Sequence, residues 1–252
     1  MIKWLCLLLF AAPRILYSQI KLFFINRKKD KYPLQYRYNI VRKTIRWVNK
    51  FLRVNMNVIN KDIITTPHED GRVYVSNHFS VYEILALVEL SSKPLIFISK
   101  KENLKVPFLS AHLKAIDTLC IDRKDARQSL KVCKQAGIYA KNGYDVVIFA
   151  EGTRSKDGNV GAFKAALPSI IHYSEVQTIL VCMHNTKKPL SWHWIKYPKE
   201  KVNIRFFKPL SYDFYLQNKK EFNVITHDII QKQLDYFKDG KGEFVDEYNF
   251  NN

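Results

Sequence analysis

The sequence predicts an α/β fold with a mostly parallel central sheet flanked by helices, preceded by a basic helical segment at the N-terminus. Three observations predict it. From residue 72 onward, short apolar runs alternate with longer stretches of helical periodicity, the pattern of strands joined by crossover helices. At 252 residues with 47% hydrophobic and 13% aromatic side chains, the chain can bury one sizeable core and is not disordered. The net charge of +18 is unevenly spread: residues 1–60 hold 13 Lys and Arg against one acid, Asp30, and so carry two thirds of the excess. The remainder has an ordinary balance of charge. That asymmetry divides the chain into a basic, apolar helical segment, 1–60, and an α/β domain, 61–252.

The N-terminal segment is apolar as well as basic. "WLCLLLFAA" (4–12) and "ILYSQIKLFFI" (15–25) are separated by Pro13 and Arg14 and interrupted by Lys21. A membrane span needs about 20 consecutive, predominantly apolar residues. These two runs therefore suit a segment lying on a bilayer better than one crossing it, with a secretory leader starting at Met1-Ile2-Lys3 as the alternative. In "NIVRKTIRWVNKFLRV" (39–54), Val41, Ile45, Val48 and Leu52 share one face while Arg42, Lys43, Arg46, Lys50 and Arg53 fill the rest. This basic amphipathic helix either rests on an anionic membrane surface or packs on its own domain with its cations in water.

Within the α/β part, strands are expected at 72–76, 94–99, 118–122, 144–150, 178–184 and 202–207. Helices are expected at 80–92, 124–141, 161–174 and 222–238. The four cysteines, Cys6, Cys120, Cys133 and Cys182, have neither zinc-ligand nor disulfide spacing, as expected of buried thiols in a reducing compartment. There is no nucleophile elbow, Walker loop or dinucleotide fingerprint.

Ligands of such sheets bind beyond the carboxyl ends of the strands, and three predicted ends are rich in polar groups. His78 follows "RVYVS", Arg123 follows "TLCID", and Glu151-Gly152-Thr153-Arg154 follows "YDVVIFA". His78 is the obvious proton acceptor near neutral pH. Glu83 lies five residues on, a spacing that a continuous helix would splay by about 140°. "Ser80-Val81-Tyr82-Glu83" reads as a capping box, which puts His78 in a turn and Glu83 in the first helical turn. On these residues alone, Glu83 either completes the cap or folds back to orient the imidazole.

The ordered set "NH" with an acid five residues after the histidine, "CIDR" (120–123) and "FAEGTRS" (149–155) resembles the glycerolipid acyltransferases, specifically the 1-acylglycerol-3-phosphate acyltransferases. "KKENLKVPF" (100–108) and "GAFKAA" (161–166) extend the resemblance, which covers roughly residues 72–185. "EGTRS" is its most specific part.

The resemblance implies transfer of a fatty acyl group from acyl-CoA or acyl-carrier protein to the free hydroxyl of lysophosphatidic acid, giving phosphatidic acid, without a metal or further cofactor. It implies His78 as general base oriented by Glu83, Arg154, Arg123 and Lys100 as ligands of the acceptor's phosphate, and Glu151, Gly152 and Thr153 as the motif shaping the acceptor site. It also implies a membrane phospholipid surface as partner and a peripheral or monotopic place on the cytoplasmic face of the cell membrane. The alternatives are another phosphorylated or lysolipid acceptor, or a membrane-surface protein with impaired turnover. A nucleic-acid partner is not expected, because the excess charge sits with apolar segments rather than with a recognition motif. The sequence departs from the family pattern in carrying Glu83 for the usual aspartate, Ala150 for a proline and Asp117 for a glycine. The later proline-rich strand is absent from "VQTILVCMHN".

Overall fold

In a computed structural model of the chain, residues 12–106, 109–191 and 201–241 are described. Helices α1 (Ala12–Asn26) and α2 (Leu34–Leu52) lead into strand β1 (Asn55–Ile59) and a single helical turn α3 (Asp62–Thr65). There follow β2 (Arg72–Ser76), α4 (Tyr82–Leu90), β3 (Leu95–Lys100), α5 (Ser110–Ala115), β4 (Leu119–Ile121), α6 (Ala126–Lys141) and β5 (Asp145–Phe149). Helix α7 (Ala166–Ser174), β6 (Thr178–His184), β7 (Lys201–Phe206), α8 (Tyr212–Gln217) and α9 (Phe222–Lys238) complete the described chain.

The seven strands form one sheet in the order β1-β7-β6-β2-β5-β3-β4. All pairs are parallel except β6 with β7. The carboxyl ends of β2, β3, β4, β5 and β6 therefore share one rim. All six expected strands form, each within one residue of its expected bounds at either end. Strand β1 was not expected, because Asn55, Asn57 and Asn60 mask its alternation. It pairs with β7, so the sheet takes in five residues that the charge count assigned to the N-terminal segment.

Side chains on successive strand positions point to opposite faces, and the two faces are buried by different helices. Val73, Val75, Val146, Ile148, Leu180 and Cys182 pack under α6, α7 and α9. Tyr74, Phe97, Val147, Ile179, Val181 and Met183 pack under α2, α4 and α5.

The N-terminal helices change one expectation. Tyr38, Val41 and Ile45 of α2 are at most 7% exposed, so its apolar face lies on the domain and cannot face a lipid surface. The burial of those three side chains decides between the two readings of the amphipathic pattern. Helix α1 does the opposite: Leu16, Ile20, Phe23 and Phe24, at positions i, i+4, i+7 and i+8, are exposed. Among the described residues, no helix is long and apolar enough to cross a membrane. The run at 4–12 lies outside the described residues except for Ala12, as do Pro107 and Phe108 of the "KKENLKVPF" segment.

Asp117 fastens this helical pair to the domain. Its backbone is left-handed, with φ 50°, a region that favours glycine and tolerates Asp. The buried Arg37 grips its carboxylate at 2.9 and 2.7 Å and also donates to the carbonyl of Ala115 at 2.7 Å, while Lys29 makes a second ion pair. Burial raises the Asp117 carboxyl, but the hydrogen bonds and charges of Arg37 and Lys29 outweigh it and hold the group below the usual range.

Candidate active site

Strand β2 ends at Ser76, and the next two residues are fixed from different sides. The buried Asn77 donates to the carbonyl of Met183 at 2.8 Å and accepts from its amide at 2.9 Å, so it acts as an extra rung between β2 and β6. The amide of His78 donates to Glu151 Oε1 at 2.7 Å, and its carbonyl accepts from the amide of Ser155 at 2.8 Å. The imidazole stacks on Phe149 with 4.1 Å between ring centroids. Its ring face is thereby set by the last residue of β5 and its backbone by the loop that follows.

The chain then turns into α4. Ser80 Oγ accepts from the amide of Tyr82 at 3.2 Å, and the helix begins one residue later than the capping box suggests, with Val81 at its N-cap. Glu83 folds back across this turn. Its Oε2 faces His78 Nδ1 at 2.6 Å, and its Oε1 accepts from the amides of Phe79 at 2.8 Å and Ser80 at 2.9 Å. The carboxylate has two oxygens, and cap and imidazole each use one. Thr186, just past the end of β6, adds its hydroxyl to Oε1 at 2.5 Å. Glu83 is fully buried, whereas the His78 side chain is 16% exposed. A carboxylate at Nδ1 selects the tautomer with a proton there and a lone pair on Nε2. Nε2 makes no hydrogen bond to any described residue.

Glu151 is a brace inside the rim. Besides the His78 amide, it accepts from the amide of Gly161 at 2.8 Å. A Cβ on Gly161 would lie 2.9 Å from Glu151 Oε2, so a glycine is required where the loop closes on the carboxylate. Gly152 has φ 69°, which turns the chain sharply after Glu151 and carries Thr153 and Arg154 outward. Burial pushes the Glu151 carboxyl up, against the opposing pull of the His78 and Gly161 amides. Thr153, Ser155, Lys156 and Lys164 line a cleft of about 400 Å3 with Glu151 as part of its wall.

The cations sit at graded distances. Arg154 precedes Ser155, whose amide is bonded to the His78 carbonyl. Lys100 ends β3, two strands from β2, and Arg123 lies just beyond β4, three strands away, or roughly 10 and 14 Å at the usual strand spacing. All three are exposed, and none of their side chains makes an ion pair or hydrogen bond to a described residue. The carboxylate beside Arg123, Asp122, pairs with Lys101. The rim thus gathers His78, Glu83 and Glu151 into direct contact, keeps Gly152, Thr153 and Arg154 on the adjoining loop, and leaves Lys100 and Arg123 farther along the same edge.

Thr186 and Phe149 were missed as site residues. Thr186 lies 103 positions from Glu83 and belongs to no short motif. The available signal was its place two residues past a strand ending at this rim.

A sequence profile of the acyltransferase family matches residues 55–186. A chloroplastic 1-acyl-sn-glycerol-3-phosphate acyltransferase of Arabidopsis thaliana is 33% identical over 116 residues, which is 46% of this chain and 32% of that protein. A probable 1-acyl-sn-glycerol-3-phosphate acyltransferase of Mycoplasma genitalium is 25% identical over 229 residues, covering 84% of this chain and 85% of that one. The chain thus spans about a third of the length of its plant relative and most of its bacterial one. The crystal structure of the 1-acyl-sn-glycerophosphate acyltransferase PlsC from Thermotoga maritima has the same fold, with TM-score 0.66 and 19% identity over 90% of this chain and 98% of that chain. The profile match over half the chain, on a sheet of matching topology, places this protein in the acyltransferase family.

Proposed function

We propose that the chain transfers a fatty acyl group from an acyl thioester to the free hydroxyl of lysophosphatidic acid, giving phosphatidic acid. The observation that carries this reading is the unengaged Nε2 of His78, held at the rim by a Glu83 carboxylate on the opposite ring nitrogen. In this reading Nε2 takes the acceptor's hydroxyl proton as the oxygen attacks the thioester carbon. A C–O bond forms, the C–S bond breaks, and the imidazolium returns its proton to the departing thiolate. No covalent acyl-enzyme is required, and no metal or redox group enters the balance. Acyl-CoA and acyl-carrier protein both present such a thioester.

The acceptor's phosphate is assigned to Arg154, with Lys100 and Arg123 completing its counter-charge, because guanidinium forks suit bidentate phosphate binding and these side chains have no partner among the described residues. Glu151, Gly152 and Thr153 shape the loop that presents Arg154. Lysophosphatidic acid is an amphiphile, which fits a site next to a bilayer. The exposed Leu16, Ile20, Phe23 and Phe24 of α1, flanked by Lys21, Arg27 and Lys28, support a peripheral or monotopic place on the cytoplasmic face of the cell membrane. Membranes containing the protein are expected to convert lysophosphatidic acid and an acyl thioester to phosphatidic acid. A panel of lysolipid acceptors, read by product mass, tests the assignment, and preference for an acceptor without a phosphate would overturn it.

A further inference from the structure

We propose that Thr186 is a positioning residue for the His78–Glu83 pair, and that its hydroxyl is what allows a glutamate to fill this place. The inference rests on the acyl-transfer reading above and adds a residue that no motif contains.

Thr186 is 1% exposed and stands beyond Asn185, whose φ of 63° turns the chain sharply off the end of β6. Three contacts lock that turn to the His78 turn. Asn77 is bonded both ways to Met183, Thr186 donates to Glu83, and Lys187 Nζ lies 5.7 Å from the centre of the Phe79 ring. The Thr186 hydroxyl therefore does not hang on a free loop; it comes from a strand end already in register with β2.

Glu83 is a fully buried carboxylate, and burial penalises its charged form unless donors surround it. It has four: three converge on Oε1, and the imidazole alone meets Oε2. With Oε1 anchored from two separate turns, the carboxyl plane cannot rotate, so Oε2 stays on Nδ1 and Nε2 stays aimed outward. An aspartate is shorter by one methylene, about 1.5 Å. From the same backbone it could serve the turn amides and the imidazole or reach toward Thr186, but not both. Glu83 and Thr186 thus form a matched pair across 103 residues.

The consequence for titration follows from the groups present. Glu83 faces His78, with Glu151 as the nearby carboxylate and Lys187 as the nearby cation. Turnover needs an ionised Glu83 and a neutral ring. Without the Thr186 hydroxyl, the proton taken up by the pair can also settle on the carboxylate, so the pair takes it up at higher pH.

The test compares Thr186→Val, which keeps the shape and removes the donor, with Thr186→Ser, which keeps the donor. Ring 15N shifts of His78, identified by their loss in His78→Ala, are titrated in full-length protein and need no substrate. The first protonation of the pair should move to higher pH in the valine variant and return in the serine variant. In the acylation assay, kcat should fall roughly tenfold to a hundredfold in Thr186→Val, as expected for one hydrogen bond to a charged group, with both KM values nearly unchanged. Serine should restore most of the loss. If valine does not fold, Thr186→Ala against Thr186→Ser gives the same contrast. An unmoved titration in a folded donor-free variant overturns the proposal even if the protein acylates lysophosphatidic acid. A moved titration in a protein that acylates nothing leaves Thr186 in place and removes the acyl-transfer reading.

Discussion

The two edges of the sheet each carry a histidine on a fully buried carboxylate, and only one of them is built like a base. At the carboxyl edge, His78 Nδ1 meets Glu83 at 2.6 Å and Nε2 has no described partner. At the amino edge, His68 Nε2 meets both oxygens of Asp145 at 3.0 and 3.1 Å, and its Nδ1 faces the carbonyl of Thr66 at 3.1 Å. Both nitrogens of His68 face protein oxygens, so the ring is held from both sides. Lys93, 3.5 Å from Asp145, adds a cation beside that pair and donates to two loop carbonyls. The same two functional groups therefore form a structural clamp at one edge and, at the other, a pair whose second nitrogen has no described partner, which we propose as the proton acceptor. What separates them is the second nitrogen, together with the neighbouring strand ends that supply cations.

The sharpest way to break this comparison is to remove each ring. His78→Ala should lower kcat by about 10²- to 10⁴-fold, the usual contribution of a general base. His68→Gln should keep kcat within about threefold yet lower stability by about 1–2 kcal/mol, because Asp145 loses donors it cannot replace in the core. Denaturant unfolding and initial rates on the same preparations separate the two effects.

Next in size is the carboxylate. Glu83→Asp should cost roughly tenfold or more in kcat and move the acid limb of the pH profile upward, since the shorter side chain gives up one of its two anchors. An unchanged rate and profile would show that the extra methylene has no mechanistic consequence.

The cations extend the contrast: Arg154 stands on the loop beside His78, and its guanidinium has no partner among the described residues. Arg154→Ala should raise KM for lysophosphatidic acid about tenfold with little change for the acyl donor, and Arg123→Ala only about two- to threefold, since it lies three strands from His78. Steady-state kinetics with each substrate varied in turn would show a reversed order if the phosphate sits over β4.

The smallest effect concerns carboxylates held for stability rather than chemistry. Asp117 titrates below its ordinary value, so its contribution is complete above about pH 4 and is lost as pH falls through the folded value. Glu151 is displaced the other way by burial, and its contribution is lost as pH rises from about 4 through its raised value. Asp117→Asn, which tolerates the left-handed backbone, should lower stability by about 1–2 kcal/mol at neutral pH and flatten the acid loss below about pH 4. Unfolding followed by intrinsic tryptophan fluorescence across pH would register both.

The fold was largely legible because each apolar run of the sheet is bounded by turn residues and alternates with a helical period. Strand β1 was not, since its asparagines hide it and its partner β7 lies far along the chain. The rim was legible wherever one short segment carries two functions, as in "SNHFSVYEIL", whose cap and histidine share one carboxylate. The direction of α2's apolar face was not, because periodicity gives a helix a face without saying what covers it. Thr186 was invisible for a different reason: its significance lies in a contact between two strand ends, and strand order is not written in any local pattern. Asp117 looked like a departure from glycine, and Arg37 and Lys29 show what its carboxylate does there.

In the proposed reaction, His78 Nε2 accepts the hydroxyl proton of lysophosphatidic acid. The most direct test of this step is phosphatidic acid formation by membranes carrying the wild-type chain, His78→Ala or His68→Gln at matched protein levels, with acyl-CoA and acyl-carrier protein donors supplied separately. Product is expected from the wild type and His68→Gln with at least one donor, and from His78→Ala at a rate lower by about 10²-fold or more. Equal product from His78→Ala and the wild type would contradict it.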